Sequence, residues 1–160
     1  ARPPRGRREC VVILRETVTV ACPPSEVFAW ISDPERARQW QIGVLEHQTV
    51  EASDDVVGTR FRQTVGDESR NVELHGEVTA YRPDELIEFA VTGRGLAIRT
   101  RYFLSAVGQS TLLEVASDVR LGGRASMLLA PFARGKSVKR LRAELERLRG
   151  LCEAEPPAAG

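Results

Sequence analysis

From Ile42 to Ser117 the sequence carries strand signals and nothing else. Six β-branched or alternating runs, at about 42–52, 57–65, 70–81, 85–92, 97–107 and 110–120, are separated by short turn chemistry. The turns are Ser53-Asp54-Asp55, Gly66-Asp67-Glu68, Arg82-Pro83-Asp84, Gly93-Arg94-Gly95 and Gly108-Gln109-Ser110. In the third run Val72, Leu74, Gly76, Val78 and Ala80 alternate with Asn71, Glu73, His75, Glu77 and Thr79. One face therefore meets a core and the other meets water. Links this short join antiparallel neighbours, because a parallel crossover needs a dozen residues or more.

Other elements flank this meander. The run ECVVILRETVTVA (9–21) reads as a strand that stops at Cys22-Pro23-Pro24. Pro24 suits a first helical position, and Val27, Phe28, Trp30 and Ile31 give a short apolar helix face. Asp33-Pro34 starts a second short helix that ends near Trp40. After Leu121-Gly122-Gly123 the chain turns helical from Arg124 to about Leu151. Val138, Leu141, Leu145 and Leu148 form its apolar stripe, and Pro131 and Gly135 predict a kink or a broken start. Residues 1–8 and 153–160 read as disordered tails around one domain at 9–152.

The architecture this order predicts is α+β: a seven-stranded antiparallel sheet whose single apolar face needs a cover. The final helix is the one element long enough, yet it is about 10 Å wide against strands spaced ~4.8 Å apart. The sheet must curve around the helix, and space remains between them. Two short helices close one end. A concave apolar cavity follows, which is the usual form of a small-molecule site.

The segment from Ala21 to Trp40 (ACPPSEVFAWISDPERARQW) resembles the opening signature of the START-like (SRPBCC) helix-grip superfamily. The nearest group is the polyketide cyclase/dehydrase and lipid-transport family. Val57-Gly58-Thr59-Arg60-Phe61, Val78-Thr79-Ala80-Tyr81-Arg82-Pro83 and the closing helix through Leu145, Leu148 and Leu151 agree with it. The resemblance covers about residues 10–152 and implies a helix-grip fold. It spans lipid carriers, cyclases and chaperone cofactors, so fold does not decide function.

Alternation assigns the inward positions. Phe61, Gln63 and Val65 share a face, as do Leu74 and Val78, then Ile87, Phe89 and Val91, then Ile98, Thr100 and Tyr102. The expected ligand-binding set is Trp30, Trp40, Phe61, Gln63, Leu74, Phe89, Ile98, Thr100, Tyr102, Met127, Leu128 and Phe132. Gln63, Thr100 and Tyr102 are its polar anchors. Met127, Leu128 and Phe132 belong near the mouth, while Val138, Leu141, Leu145 and Leu148 seal the far end.

No catalytic residue is assigned. The chain has no G-x-S-x-G, H-E-x-x-H or glycine-rich phosphate motif. His75 falls on the polar face of its strand, and the facing of His47 is ambiguous. The resemblance implies that a cyclase would steer an enolate with Arg, Tyr and Trp. Alternation turns Arg60, Arg62, Arg99 and Arg101 outward, and no cavity Arg or acid–base group emerges from the pattern. Three cysteines, Cys10, Cys22 and Cys152, and two histidines offer little to a metal site, so no metal or cofactor is expected.

Charge is uneven. Residues 1–8 hold four arginines, and 124–151 hold eight basic residues against two acidic ones, so the body is acidic. The helix 136–149 has no aromatic residue, which argues against nucleic acid. No apolar run approaches a membrane span, and Glu9, Arg15 and Glu16 break the only signal-like stretch. A cytoplasmic protein, bacterial by its Arg and Ala content, is expected, with its oligomeric state open. The functional expectation is a carrier or sensor of an apolar small molecule or lipid. A polyketide aromatase/cyclase and an interaction module using the basic helix are the alternatives.

Overall fold

A computed structural model describes residues 10–66, 69, 71–122 and 124–154, giving backbone only for residue 10 and for 124–136. The elements are β1 (Cys10–Val20), α1 (Pro24–Ser32), α2 (Pro34–Trp40), β2 (Val44–Glu51), β3 (Arg60–Gly66), β4 (Asn71–Arg82), β5 (Leu86–Gly93), β6 (Leu96–Val107), β7 (Ser110–Leu121) and α3 (Arg124–Ala154). The seven strands form one sheet in the order β1-β7-β6-β5-β4-β3-β2. Every neighbouring pair is antiparallel. This is the helix-grip architecture that the element order predicts.

The connections follow from turn chemistry. Arg94 (φ 47°) and Gly95 (φ 75°) make the two-residue β5–β6 turn, both in the left-handed region that suits the twist of a tight hairpin. β1 and β2 occupy opposite edges of the sheet, and α1 and α2 carry the chain between them. Pro24 and Pro34 each sit in the first helical turn, and the Asp33 carboxylate caps α2 by accepting from Glu35 N at 3.0 Å.

Three bulges decide which side chains face inward. They lie between Val44 and Glu46, between Thr49 and Glu51, and between Val78 and Ala80. Each inserts one residue and resets the alternation. Gly76 serves close packing instead: a Cβ there would overlap the Phe61 ring on β3.

α3 approaches β1, α1 and α2. Its stripe of Leu141, Leu145 and Leu148 joins Val12, Leu14, Val20, Leu113, Val115 and the apolar faces of α1 and α2 in the core. Each buried leucine contributes roughly 1.5–3 kcal/mol. Cys22 and Cys152 are buried in this cluster, and Cys22 Sγ donates to the Cys152 carbonyl at 3.1 Å.

Two expectations change. α3 is one continuous helix through Pro131 and Gly135, so the broken start does not occur, and it runs on to Ala154. The expected tail at residues 1–8, the 67–68 part of the second turn and residues 155–160 lie outside the described residues. No helix among the described residues is long and apolar enough to cross a membrane.

Candidate functional site

Because α3 lies toward the β1 side, the centre of the concave face is not filled by it. The space left is a cavity of about 710 Å³. Its wall runs across the sheet: Thr49 of β2, Phe61, Gln63 and Val65 of β3, Leu74 and Val78 of β4, Ile87, Phe89 and Val91 of β5, and Ile98, Thr100 and Tyr102 of β6. Ser117 and Val119 of β7 and Val12 and Leu14 of β1 continue it. Ile31, Ala37, Gln41, Ser137, Arg140, Leu141 and Glu144 close it from the helical side. Phe61, Phe89 and Tyr102 stand edge-on in sequence, with ring centroids 5.8 and 6.2 Å apart.

Of the residues expected to meet a ligand, Phe61, Gln63, Leu74, Phe89, Ile98, Thr100 and Tyr102 are on this wall. Trp30 and Trp40 are not; both are packed in the core beneath it. The reason is the indole N–H, which needs a partner once buried. Trp40, fully enclosed, donates to the Trp30 carbonyl at 3.1 Å and meets the Tyr102 ring edge-on at 6.0 Å. The Arg36 guanidinium lies over the Trp30 ring at 4.9 Å. The side chains of Met127, Leu128 and Phe132 lie outside the described residues.

The polar groups fall into three clusters. Thr100 Oγ1 and Ser117 Oγ are 2.9 Å apart on adjacent strands. Gln63 Nε2 lies 2.9 Å from His47 Nδ1, and the His47 ring stacks on Phe61 at 4.8 Å. Burial, reinforced by the positive charge of Arg38, lowers the His47 pKa. At physiological pH the ring is therefore neutral.

The third cluster lies between α3, the α2–β2 link and β6. Glu144 Oε1 accepts from Ile42 N at 3.0 Å and from Arg140 Nε at 3.1 Å. The Arg140 guanidinium also donates to the Ile42 carbonyl. Burial raises the Glu144 pKa, and Arg140 and the Ile42 N–H only partly oppose it. Burial, then the Glu144 charge, pushes the Tyr102 phenol up, while a hydrogen bond with the Gln41 side chain works the other way. Tyr102 keeps its proton.

The second and third clusters overturn one expectation. The strand pattern offered no cavity Arg or acid–base group, yet Arg140, Glu144 and His47 all reach the wall. The outward reading of Arg60, Arg62, Arg99 and Arg101 agrees with their exposed positions, and His75 pairs with Glu73 at 3.4 Å on the water-facing side. A signal for Glu144 existed: it is three residues after Leu141 and four before Leu148, inside the apolar stripe. Only its charge argued against the buried face. Among the described residues no group of His, Cys, Asp or Glu is arranged to hold a metal ion.

No protein of curated function matches the sequence significantly. Among solved structures, the fold resembles TTHA0849 from Thermus thermophilus, with 16% identity, a TM-score of 0.76, and coverage of 89% of this chain and 98% of that one. A START superfamily protein from Mycobacterium smegmatis is 20% identical, with TM-score 0.73 and coverage of 88% and 97%. The di-domain ARO/CYC StfQ from the steffimycin biosynthetic pathway is 16% identical, with TM-score 0.66, coverage of 88% of this chain and 44% of that one. At these identities the likeness speaks to the fold. The family model described as polyketide cyclase / dehydrase and lipid transport matches residues 12–153, and the chain belongs to that family.

Proposed function

We propose that the protein binds an apolar small molecule or lipid between the sheet and α3, as a carrier or sensor. The observation that carries this reading is the cavity of about 710 Å³, walled mainly by aliphatic and aromatic side chains with a few polar groups among them. That composition and size suit a ligand held by apolar burial and oriented by one or two hydrogen bonds. The ligand-contacting residues in this reading are Phe61, Gln63, Leu74, Phe89, Ile98, Thr100 and Tyr102. Denaturing extraction of the purified protein, followed by mass spectrometry, should release a stoichiometric apolar compound that an Ile98→Trp variant does not carry. An equal yield from both proteins contradicts the reading.

A second reading is favoured by the third polar cluster. A carboxyl with a raised pKa beside a protonated phenol, in a largely apolar cavity, is a form that acid–base chemistry uses. In that reading the protein is a cyclase acting on a linear polyketide. Turnover of a poly-β-ketone mimic that is lost in Glu144→Gln supports it; no turnover above the buffer rate removes it. The interaction-module reading draws less support, because Arg140, Arg142 and Arg149 of the basic helix are paired within the chain to Glu144, Glu16 and Glu146.

A further inference from the structure

Glu144 is built asymmetrically. Both of its protein donors, Ile42 N and Arg140 Nε, reach Oε1. No contact among the described residues engages Oε2, although the side chain is only 13% exposed. Among the described residues no sealed side-chain oxygen or nitrogen lacks a partner. Oε2 is therefore not sealed, and Glu144 lines the cavity wall together with Gln41 and Tyr102. A hydrogen-bond donor placed against a largely buried carboxylate is worth more than a neutral hydrogen bond.

The geometry points to Glu144 Oε2 as the acceptor for a ligand hydroxyl, so that the cavity selects apolar alcohols and phenols over equally apolar molecules that lack a donor. The inference rests on the binding reading above and names the ligand class of that site. The ligand's rings or chain lie along Phe89, Ile98 and Leu74. Its hydroxyl reaches the corner of the wall that Glu144 shares with Tyr102 and Gln41.

The substitution Glu144→Gln makes a sharp test. Ile42 N and Arg140 Nε both require an acceptor, so the amide oxygen replaces Oε1 and the amide N–H₂ replaces Oε2. An acceptor facing the ligand becomes a donor with almost no change in shape. Competition against Nile red gives the affinities of 2-naphthol, which has a donor, and 2-methoxynaphthalene, which has only an acceptor. The ratio of the two should fall at least tenfold from wild type to Glu144→Gln. A ratio within twofold of wild type overturns the proposal. If Glu144→Gln fails to fold, Glu144→Asp, which withdraws the carboxylate by one methylene, should lower the ratio at least fivefold, and an unchanged ratio there overturns it equally. Absence of saturable Nile red binding to the wild type overturns the cavity reading and this inference together; Nile red binding with an unchanged ratio overturns this inference alone.

Discussion

Two nearly enclosed carboxylates, one on the convex face of the sheet and one on the helix against its concave face, behave in opposite ways. Glu88 on the convex face has a side chain 6% exposed, and Glu144 beside the concave face has one 13% exposed. Each pairs with an arginine. Glu88 is saturated on both oxygens: Oε1 accepts from Thr79 Oγ1 at 2.7 Å, and Oε2 from Arg101 Nε at 3.0 Å and Nη2 at 2.8 Å. Burial alone would raise its pKa, but the bonds from Thr79 and Arg101 and the charges of Arg101 and Arg99 outweigh that and lower it. Glu144 gathers its donors on one oxygen, and burial wins. Similarly low exposure and similar charge partners thus give a structural ion pair in one place and an open acceptor in the other. Hydrogen-bond saturation at Glu88 and deeper burial at Glu144 together separate them.

Removing the guanidinium from each pair should separate the two most strongly. Arg101→Ala strips Glu88 of both bonds to Oε2 and should cost about 2 kcal/mol in urea unfolding, discounted because Arg99 lies 4.0 Å away. Arg140→Ala leaves Glu144 with the Ile42 N–H and a more easily protonated carboxyl, and should cost about 1 kcal/mol or less. Equal losses would break the comparison.

Filling the concave side sharpens it next. Ile98→Trp projects into open space rather than a packed core, so it should reduce Nile red affinity at least tenfold while changing stability by less than about 1 kcal/mol. The same enlargement at fully buried Leu113 should cost about 2 kcal/mol or more, because nothing there can give way. Thermal melts of both variants check the contrast.

The pH dependence should carry opposite signs. A carboxyl whose folded pKa is raised favours folding below its unfolded value of 4.5, and that advantage is lost as pH rises through the folded pKa. The Tm of the wild type should therefore fall relative to Glu144→Gln as pH rises above 4.5. For Glu88 the folded pKa is lowered, so its contribution is present above 4.5 and is lost as pH falls through the folded value. The Tm of the wild type should fall relative to Glu88→Gln on acidification below 4.5. Slopes of one sign for both pairs would contradict the saturation argument. The smallest effect belongs to the solvated pair: His75→Ala, which loses only the exposed contact with Glu73, should change stability by under about 0.5 kcal/mol.

The fold was legible because period-two alternation, turn chemistry and one terminal helix stripe all point to the same architecture. The wall was legible where alternation runs undisturbed, as from Phe61 to Val65 and from Ile98 to Tyr102. It failed at bulges. Val44 and His47 both face the cavity although three residues apart, and so do Thr49 and Ala52, and Val78 and Tyr81. An inserted residue leaves no mark in the alternation that a reader can assign to one position, and the facing of His47 was lost for that reason. Glu144 and Arg140 were hidden differently. Their charges read as a solvated helix face, and the partners that admit them to the wall are the Ile42 amide and carbonyl, about a hundred residues away in sequence. The tryptophans misled because an aromatic on a short closing helix reads as a lid, whereas Trp40 is held inward by a hydrogen bond to a main-chain carbonyl.

The central claim is that the concave face holds usable empty space, and titrating the wild type and Ile98→Trp with Nile red in parallel tests it most directly. The account predicts saturable one-to-one binding to the wild type, displaced by a second apolar compound, and a loss of at least tenfold in the variant. Dye uptake that never saturates, or that is the same in both proteins, would contradict it.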